Sequence, residues 1–427
     1  MLSTLRNAWK VPDLRKRLLW TLLIVAIYRI GNHIPVPGID PTKLKSVAES
    51  SGGLINFYDL ISGGALSKAS IFTLGVTPYI NASIIMQLLT IAIPQLEQLS
   101  KEGDDGRKKI QKITRYASIG LACVMSWGSY ALIKTSTGAI SNNSMITMAI
   151  IMLTLVVGAT FAMWLGDRIT VKGIGNGVSM IIFANIISRY PSQFGQIYEL
   201  KSVGNVSGLD IVLLVLFLLA MLCGIIFLSL SERRIHVQYA GKAVGNKVYK
   251  GQSSHIPLSI IGTTVIAIIF AMSVMQFPET IARFFYQKSW AQWVIDGTNS
   301  PFNSKQWIYP IIYAVLTVFF TWFYTQVTFK PDEMAENMHK SAGFIPGIRP
   351  GQPTAKYLER VLDRISVFGG LFAAIIAVTP VLIESLTQFK HIQFGGTSLL
   401  ILVSVALEVM RQLESQLVMR HYQGFLK

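Results

Sequence analysis

Ten stretches of about 20 apolar residues constrain this chain more than any other feature. They run over about 18–36, 73–93, 116–134, 146–166, 174–190, 209–230, 257–277, 307–328, 365–386 and 397–417. A helix of that length crosses roughly 30 Å of hydrocarbon with its backbone polar groups bonded internally. Such runs therefore belong in a bilayer. Composition agrees: 51% of the 427 residues are hydrophobic and 14% charged, against about 25% charged in soluble domains. The spans share one solvent, so they make one all-α polytopic membrane domain.

The net charge of +16 could mean nucleic acid, but its placement decides otherwise. With the N-terminus on the cytoplasmic side, 27 of the 38 Lys and Arg residues share that side, ten face the other, and Arg29 lies within the first run. The positive-inside rule predicts cytoplasmic termini, and an even number of spans agrees. Ten spans divide into five and five. Five is odd, so a second half built like the first is inserted upside down, the arithmetic of an inverted repeat; ten spans without internal symmetry are the alternative left open. The expected organisation is an N-terminal segment 1–17, a first half 18–190, an external loop 191–208, a second half 209–417 with cytoplasmic loops 231–256 and 329–364, and a tail 418–427.

What the spans lack narrows the function. Ion-coupled transporters place ionisable groups at mid-membrane. Here Arg29 and Glu384 sit near outer span ends, where Arg29 can snorkel. Asp167 and Arg168 end the fourth span, and Glu408 stands near Arg411 at helical spacing. Enzyme motifs such as H-E-x-x-H or a P-loop are missing, and six histidines are scattered over loops and span ends. "GIGNGVS", from Gly173, follows no strand and reads as flexible loop chemistry at a helix start. Cys123 and Cys223 have neither disulfide nor metal spacing and read as small buried core residues. The first run ends without a small-residue cleavage pattern. No catalytic residue, metal site or cofactor is expected.

Three other segments stand out. "LINFYDLISGGALSKASIF", Leu54 to Phe72, is apolar yet carries Asp59, Lys68 and a Gly63-Gly64 break. The loop after the sixth span alternates in "RIHVQYA" and continues to "KVY", which predicts a basic hairpin-like excursion. The loop after the eighth predicts a helix over "PDEMAENMHKS", a turn stiffened by Pro346 and Pro350 that presents Arg349, and another short helix over "PTAKYLERVLDRI". Basic tips of this kind suit docking of a large, partly acidic partner.

An ordered set of motifs carries a resemblance across essentially the whole chain: "RIGNHIPVPGID", "SGGALSKASIFTLGVTPYINASIIMQLL", "EGDDGRKKI", "GIGNGVSMIIFA", "ERRIHVQYA", "SSHIPL", "AGFIPGIRPGQPTAKYLERVLDRI", "GGTSLLI" and "QLESQLVMRHYQGF". The chain resembles the SecY family, channel subunits of the bacterial Sec protein translocase. The resemblance implies two inverted five-helix halves around an hourglass pore. A re-entrant plug helix at about 54–70 would close it, with Leu60, Ile61, Ser62, Gly63, Gly64, Ala65 and Leu66 at its centre. It implies a constriction ring of Ile80, Ile84, Val178, Ile182, Ile269 and Ile401, sealing by dewetting rather than by charge. It also implies a lateral gate, where spans 2 and 3 part from spans 7 and 8 to release apolar segments into lipid. Arg233, Arg234, Lys247 and Arg349 match docking positions for the SecA ATPase and the ribosome. The other implied partners are the small membrane subunits SecE and SecG, signal peptides, nascent polypeptides and the lipid bilayer of the plasma membrane. The channel itself would be passive, with the energy supplied by SecA or the ribosome. The plug should be weakly held, since it must leave. One departure matters: Ile261 and Ala267 stand where family members have Asn and Pro, which predicts a smaller bend in span 7.

Overall fold

A computed structural model describes residues 2–40, 62–136, 140, 144–202, 206–239, 242–244, 247–249, 253–259, 264–284, 288–297, 300–303, 306–387 and 396–425. Helices dominate. The first half holds α1 (Leu2–Lys10), α2 (Pro12–Gly31), α3 (Thr77–Ala92), α4 (Pro94–Lys101), α5 (Asp104–Ser136), α6 (Met145–Lys172) and α7 (Gly177–Ser202). The second holds α8 (Gly208–Leu230), α9 (Thr264–Phe284), α10 (Ser289–Asp296), α11 (Ile308–Phe329), α12 (Pro331–Lys340), α13 (Gln352–Leu386) and α14 (Gly396–Phe425). Each of the ten apolar runs falls mainly on one of α2, α3, α5, α6, α7, α8, α9, α11, α13 and α14.

Local chemistry sets several helix ends. Pro94 cannot continue α3, Ile93 before it is extended (φ −109°, ψ 113°), and α4 leaves at 101° to α3. Ser207 and Asp210 form a reciprocal capping box at the start of α8. Asn176 caps α7, its Oδ1 accepting from the amides of Val178 and Ser179 at 3.0 and 3.3 Å. The "GIGNGVS" segment is therefore a packed cap rather than a flexible loop. A Cβ on Gly177 would collide with the Gly166 carbonyl, so α6 and α7 meet where only hydrogen fits.

Among the described residues five stretches are long and apolar enough to cross a membrane: Met145–Lys172, Gly208–Leu230, Ile308–Lys340, Gln352–Pro380 and Gly396–Met419; the bent pair α3–α4 makes a sixth. The most apolar, Gly208–Leu230, is only 11% buried by the rest of the chain, while Gly396–Met419 is 50% buried. Outer helices meet lipid and need apolar faces; central ones meet protein and tolerate polar groups. Cys123 and Cys223 follow the same logic. Both are exposed rather than buried, since an apolar side chain on a membrane helix need not be covered by protein.

Four of the seven buried clusters among the described residues organise the fold. One lies within the first half, around Ile133, Ile151 and Leu155. One lies within the second, around Met275, Tyr313 and Leu400. A third joins the halves and is described below. The fourth belongs to the two loops expected in the cytoplasm: Ile235, Val237, Leu258, Ala335, Met338, Ala355 and Leu358 share one core. In it, β1 (Glu232–Tyr239) pairs antiparallel with β4 (Ser253–Ser259), Ile235 opposite Ile256, and at its other edge with β5 (Gly343–Phe344). The hairpin expectation is right in shape but not in pairing. "KVY" belongs to β3 (Lys247–Tyr249), which pairs with β2 (Lys242–Val244) at the tip, while the alternating strand takes a partner further along. "PDEMAENMHK" is α12 as expected. "PTAKYLERVLDRI" is not a separate short helix but the first third of α13, continuous with the ninth span.

One further expectation is corrected. Arg411 reaches Glu232 at 3.5 Å and the Ser229 carbonyl at 3.4 Å rather than Glu408, because α14 lies beside the start of β1. Asp167 is paired with Arg115 of α5 at 2.9 Å. Ile261 is outside the described residues; Ala267 is fully buried in α9, which runs unbroken from Thr264 to Phe284 with Pro278 inside it.

Candidate functional site

The cluster between the halves gathers most of the expected ring. Ile182 and Ile401 are buried at its centre, and Ile80 and Val178 pack against them. They come from α3, α7 and α14, so both halves contribute. Ile84 is buried and Ile269 half-buried, but both fall outside this cluster. Val265, one turn before Ile269 on α9, packs against this cluster and against the second half's core. Sequence reading passed over Val265 because a β-branched residue inside an apolar span looks the same whether it lines a seam or a core.

Leu60 and Ile61 lie outside the described residues, as does the expected plug helix before Ser62. Ser62, Gly63, Gly64 and Ala65 are buried, and Leu66 is half-buried. Gly63 and Gly64 take φ of +71° and +82°, a conformation costly for side-chain-bearing residues. From Gly63 to Val76 the chain is built of turns, held by a bridge between Pro35 and Ser70 and by Val36 N–H donating to the Ala69 carbonyl at 2.8 Å. Ala65 is fully buried in the central cluster beside Ile182. Phe72, after the plug, stacks on Tyr28 with ring centroids 4.8 Å apart.

Polar side chains meet the described end of the expected plug. Asn32 Nδ2 donates to the Ser62 carbonyl at 3.2 Å, and Arg29 Nη1 donates to the Gly63 carbonyl at 3.3 Å. Arg29 Nη1 also donates to Asn185 Oδ1 at 3.4 Å, and Asn185 Nδ2 donates to the Tyr28 hydroxyl at 3.2 Å. Tyr28, Asn32 and Asn185 are almost fully buried. The expected snorkelling of Arg29 is thus replaced by an inward contact, and the described end of the plug is gripped by hydrogen bonds rather than only loosely packed. Arg29 and Asn32, three apart at the end of an apolar run, were the available signal, since that spacing puts both on one helix face.

The expected gate helices are joined by polar bridges. Ser273 Oγ on α9 donates to Asn81 Oδ1 on α3 at 3.2 Å, and Tyr324 hydroxyl on α11 donates to Gln87 Oε1 on α3 at 3.1 Å. Among the expected docking residues, Arg233, Arg234 and Arg349 are exposed on the loop unit, and Lys247 lies on β3. Gly347 and Gly351, with φ of +83° and +93°, turn the chain on either side of Arg349. Among the described residues no group of His, Cys, Asp and Glu could hold a metal ion.

Comparison with known proteins places this geometry. The family profile described as SecY matches residues 70–410. The protein translocase subunit SecY of Aquifex aeolicus (strain VF5) is 41% identical over 434 residues, covering all of both chains. That of Halalkalibacterium halodurans is 42% identical over 436 residues, again covering both. Among solved structures, one described as the structure of a protein conducting channel aligns with a TM-score of 0.66 at 17% identity, over 96% of each chain. Another, concerning the plug domain of the SecY protein, aligns with a TM-score of 0.66 at 16% identity, over 96% of each. At such identities the structures speak for the fold alone.

Proposed function

The chain belongs to the SecY family, and from that premise we propose that it is the central subunit of a protein-conducting channel. It passes unfolded polypeptides across the membrane and releases apolar segments sideways into lipid. One observation carries this reading. Aliphatic side chains from both halves, Ile80, Val178, Ile182 and Ile401, share one cluster with Ala65 of the turn-built segment. Such a seam holds back water and ions by dewetting and can yield around an extended chain without binding one sequence. Val265 joins the ring in this reading, and Ile84 and Ile269 flank it.

The bridges from α3 to α9 and α11 close the lateral gate. A segment of about 20 apolar residues gains by leaving through it, and a polar one does not. The channel does no chemistry; the work comes from SecA hydrolysing ATP or from a translating ribosome, docked on the unit bearing Arg233, Arg234, Lys247 and Arg349. The small subunits SecE and SecG complete the complex in the bacterial plasma membrane, with both termini cytoplasmic, as the distribution of Lys and Arg supports.

Transport into liposomes tests the reading. Vesicles holding this chain with SecE and SecG are expected to import a secretory precursor only when SecA and ATP are supplied. No import, beside an active control channel, would overturn it.

A further inference from the structure

The polar group at the end of α2 is a place where an apolar channel carries cost without evident need. Buried amides and a guanidinium are expensive in an apolar setting unless they are bonded. We propose that Arg29, Asn32 and Asn185 form a latch that holds the plug by its backbone carbonyls and sets the threshold for its release. The proposal rests on the channel reading and deepens it.

The bonds point at main chain, not at side chains. Asn32 takes the Ser62 carbonyl and Arg29 the Gly63 carbonyl. Asn185, on a different helix, accepts from the same Arg29 nitrogen and donates to Tyr28, which fixes the amide's orientation. The approach needs glycine: a Cβ on Gly63 would stand 2.6 Å from Asn185 Oδ1 and 2.7 Å from Arg29 Nη1. Among the described residues of the expected plug, the one in the central cluster is Ala65, with a single methyl.

Water gives the latch its switching character. In a closed, dry channel these bonds have no competitor and are strong. Once a chain enters and water follows, each bond is exchanged for one to solvent and nets little. The latch therefore resists fluctuation but not insertion.

Labelling and leak together test this. The full chain, with Cys123 and Cys223 replaced by serine and Ser62→Cys introduced, is reconstituted with SecE and SecG and no translocation partner. A membrane-impermeant maleimide then reads access to the introduced thiol, buried while the plug is seated, and ion flux reads the seal. Asn185→Leu and Arg29→Met are each expected to raise labelling about tenfold, with a matching rise in leak. Asn185→Asp keeps an acceptor for Arg29 and for the Tyr28 hydroxyl, and is expected to label no faster than the parent. Parent-level labelling in both disrupting variants would overturn the latch. So would Asn185→Asp labelling as fast as Asn185→Leu, which would make position 185 a packing site. Each variant is read only after its melting temperature in detergent matches the parent's; Asn32→Leu replaces either that fails. No transport is involved, so a failed latch leaves the import assay standing, and a failed import assay leaves labelling interpretable.

Discussion

At the scale of residues, single hydrogens decide where helices can meet. Gly177 sits against the Gly166 carbonyl, while its own amide donates to Thr170 Oγ1 at 2.9 Å. Gly177→Ala must push α6 and α7 apart or distort the cap, and is expected to cost about 1–3 kcal/mol, seen as a lower melting temperature in detergent. Gly195→Ala on the same helix meets nothing within 4 Å and is expected to leave the melting temperature unchanged or slightly raised. Equal effects at the two positions would deny the close crossing. Residues of this kind were only partly legible. The sequence shows that Arg29 and Asn185 are polar in apolar runs, but periodicity cannot say that they meet one another and the plug from positions 156 residues apart. Ile80, Val178, Ile182 and Ile401 are, to composition, ordinary apolar residues. Resemblance to a family, not chemistry, singled them out, and the same resemblance pointed at Ile269 where Val265 packs into the seam.

At the scale of elements, the helices were legible because a 20-residue apolar run has few other options, whereas partners were not. Alternation in "RIHVQYA" announces a strand, yet nothing local tells it to choose "SSHIPLS" over "KVY". Charges in "PTAKYLERVLDRI" suggested a separate helix, but charge marks the solvent around a helix and not its end. The gate bridges belong to this scale as well. Asn81–Ser273 and Gln87–Tyr324 tie α3 to two neighbours. Two neutral hydrogen bonds contribute about 2 kcal/mol together, so Gln87→Leu with Ser273→Ala is expected to shift the closed-to-open ratio roughly thirtyfold. Spin labels introduced through Ile85→Cys on α3 and Val274→Cys on α9, both exposed positions, would report it as a longer component in their distance distribution. An unchanged distribution would show that the bridges do not hold the gate.

At the scale of the whole molecule, the loop unit and the apolar helices share one continuous helix, α13. The loop unit has its own core, in which Ala355, Leu358 and Leu362 of α13 pack on Ile235, Val237 and Leu258. The same α13 then runs without interruption into the membrane helices, where Gly370 lies close against Val318 of α11. In the proposed channel, a partner docked on the loop unit would therefore act on α11 through one continuous helix. The exposed arginines need not be buried in that core, so reversing their charge leaves the unit folded. Arg349→Glu combined with Arg233→Glu is expected to weaken SecA binding at least tenfold at 0.1 M salt, where charges reach about 10 Å, and far less at 1 M, where they reach about 3 Å. Resting ion leak is expected to stay at the native level, because no ring or latch residue is touched. Weakened binding that ignored salt would mean a damaged fold rather than a lost attraction. Raised leak would mean that the loop unit, and not the seam and plug alone, keeps the channel shut.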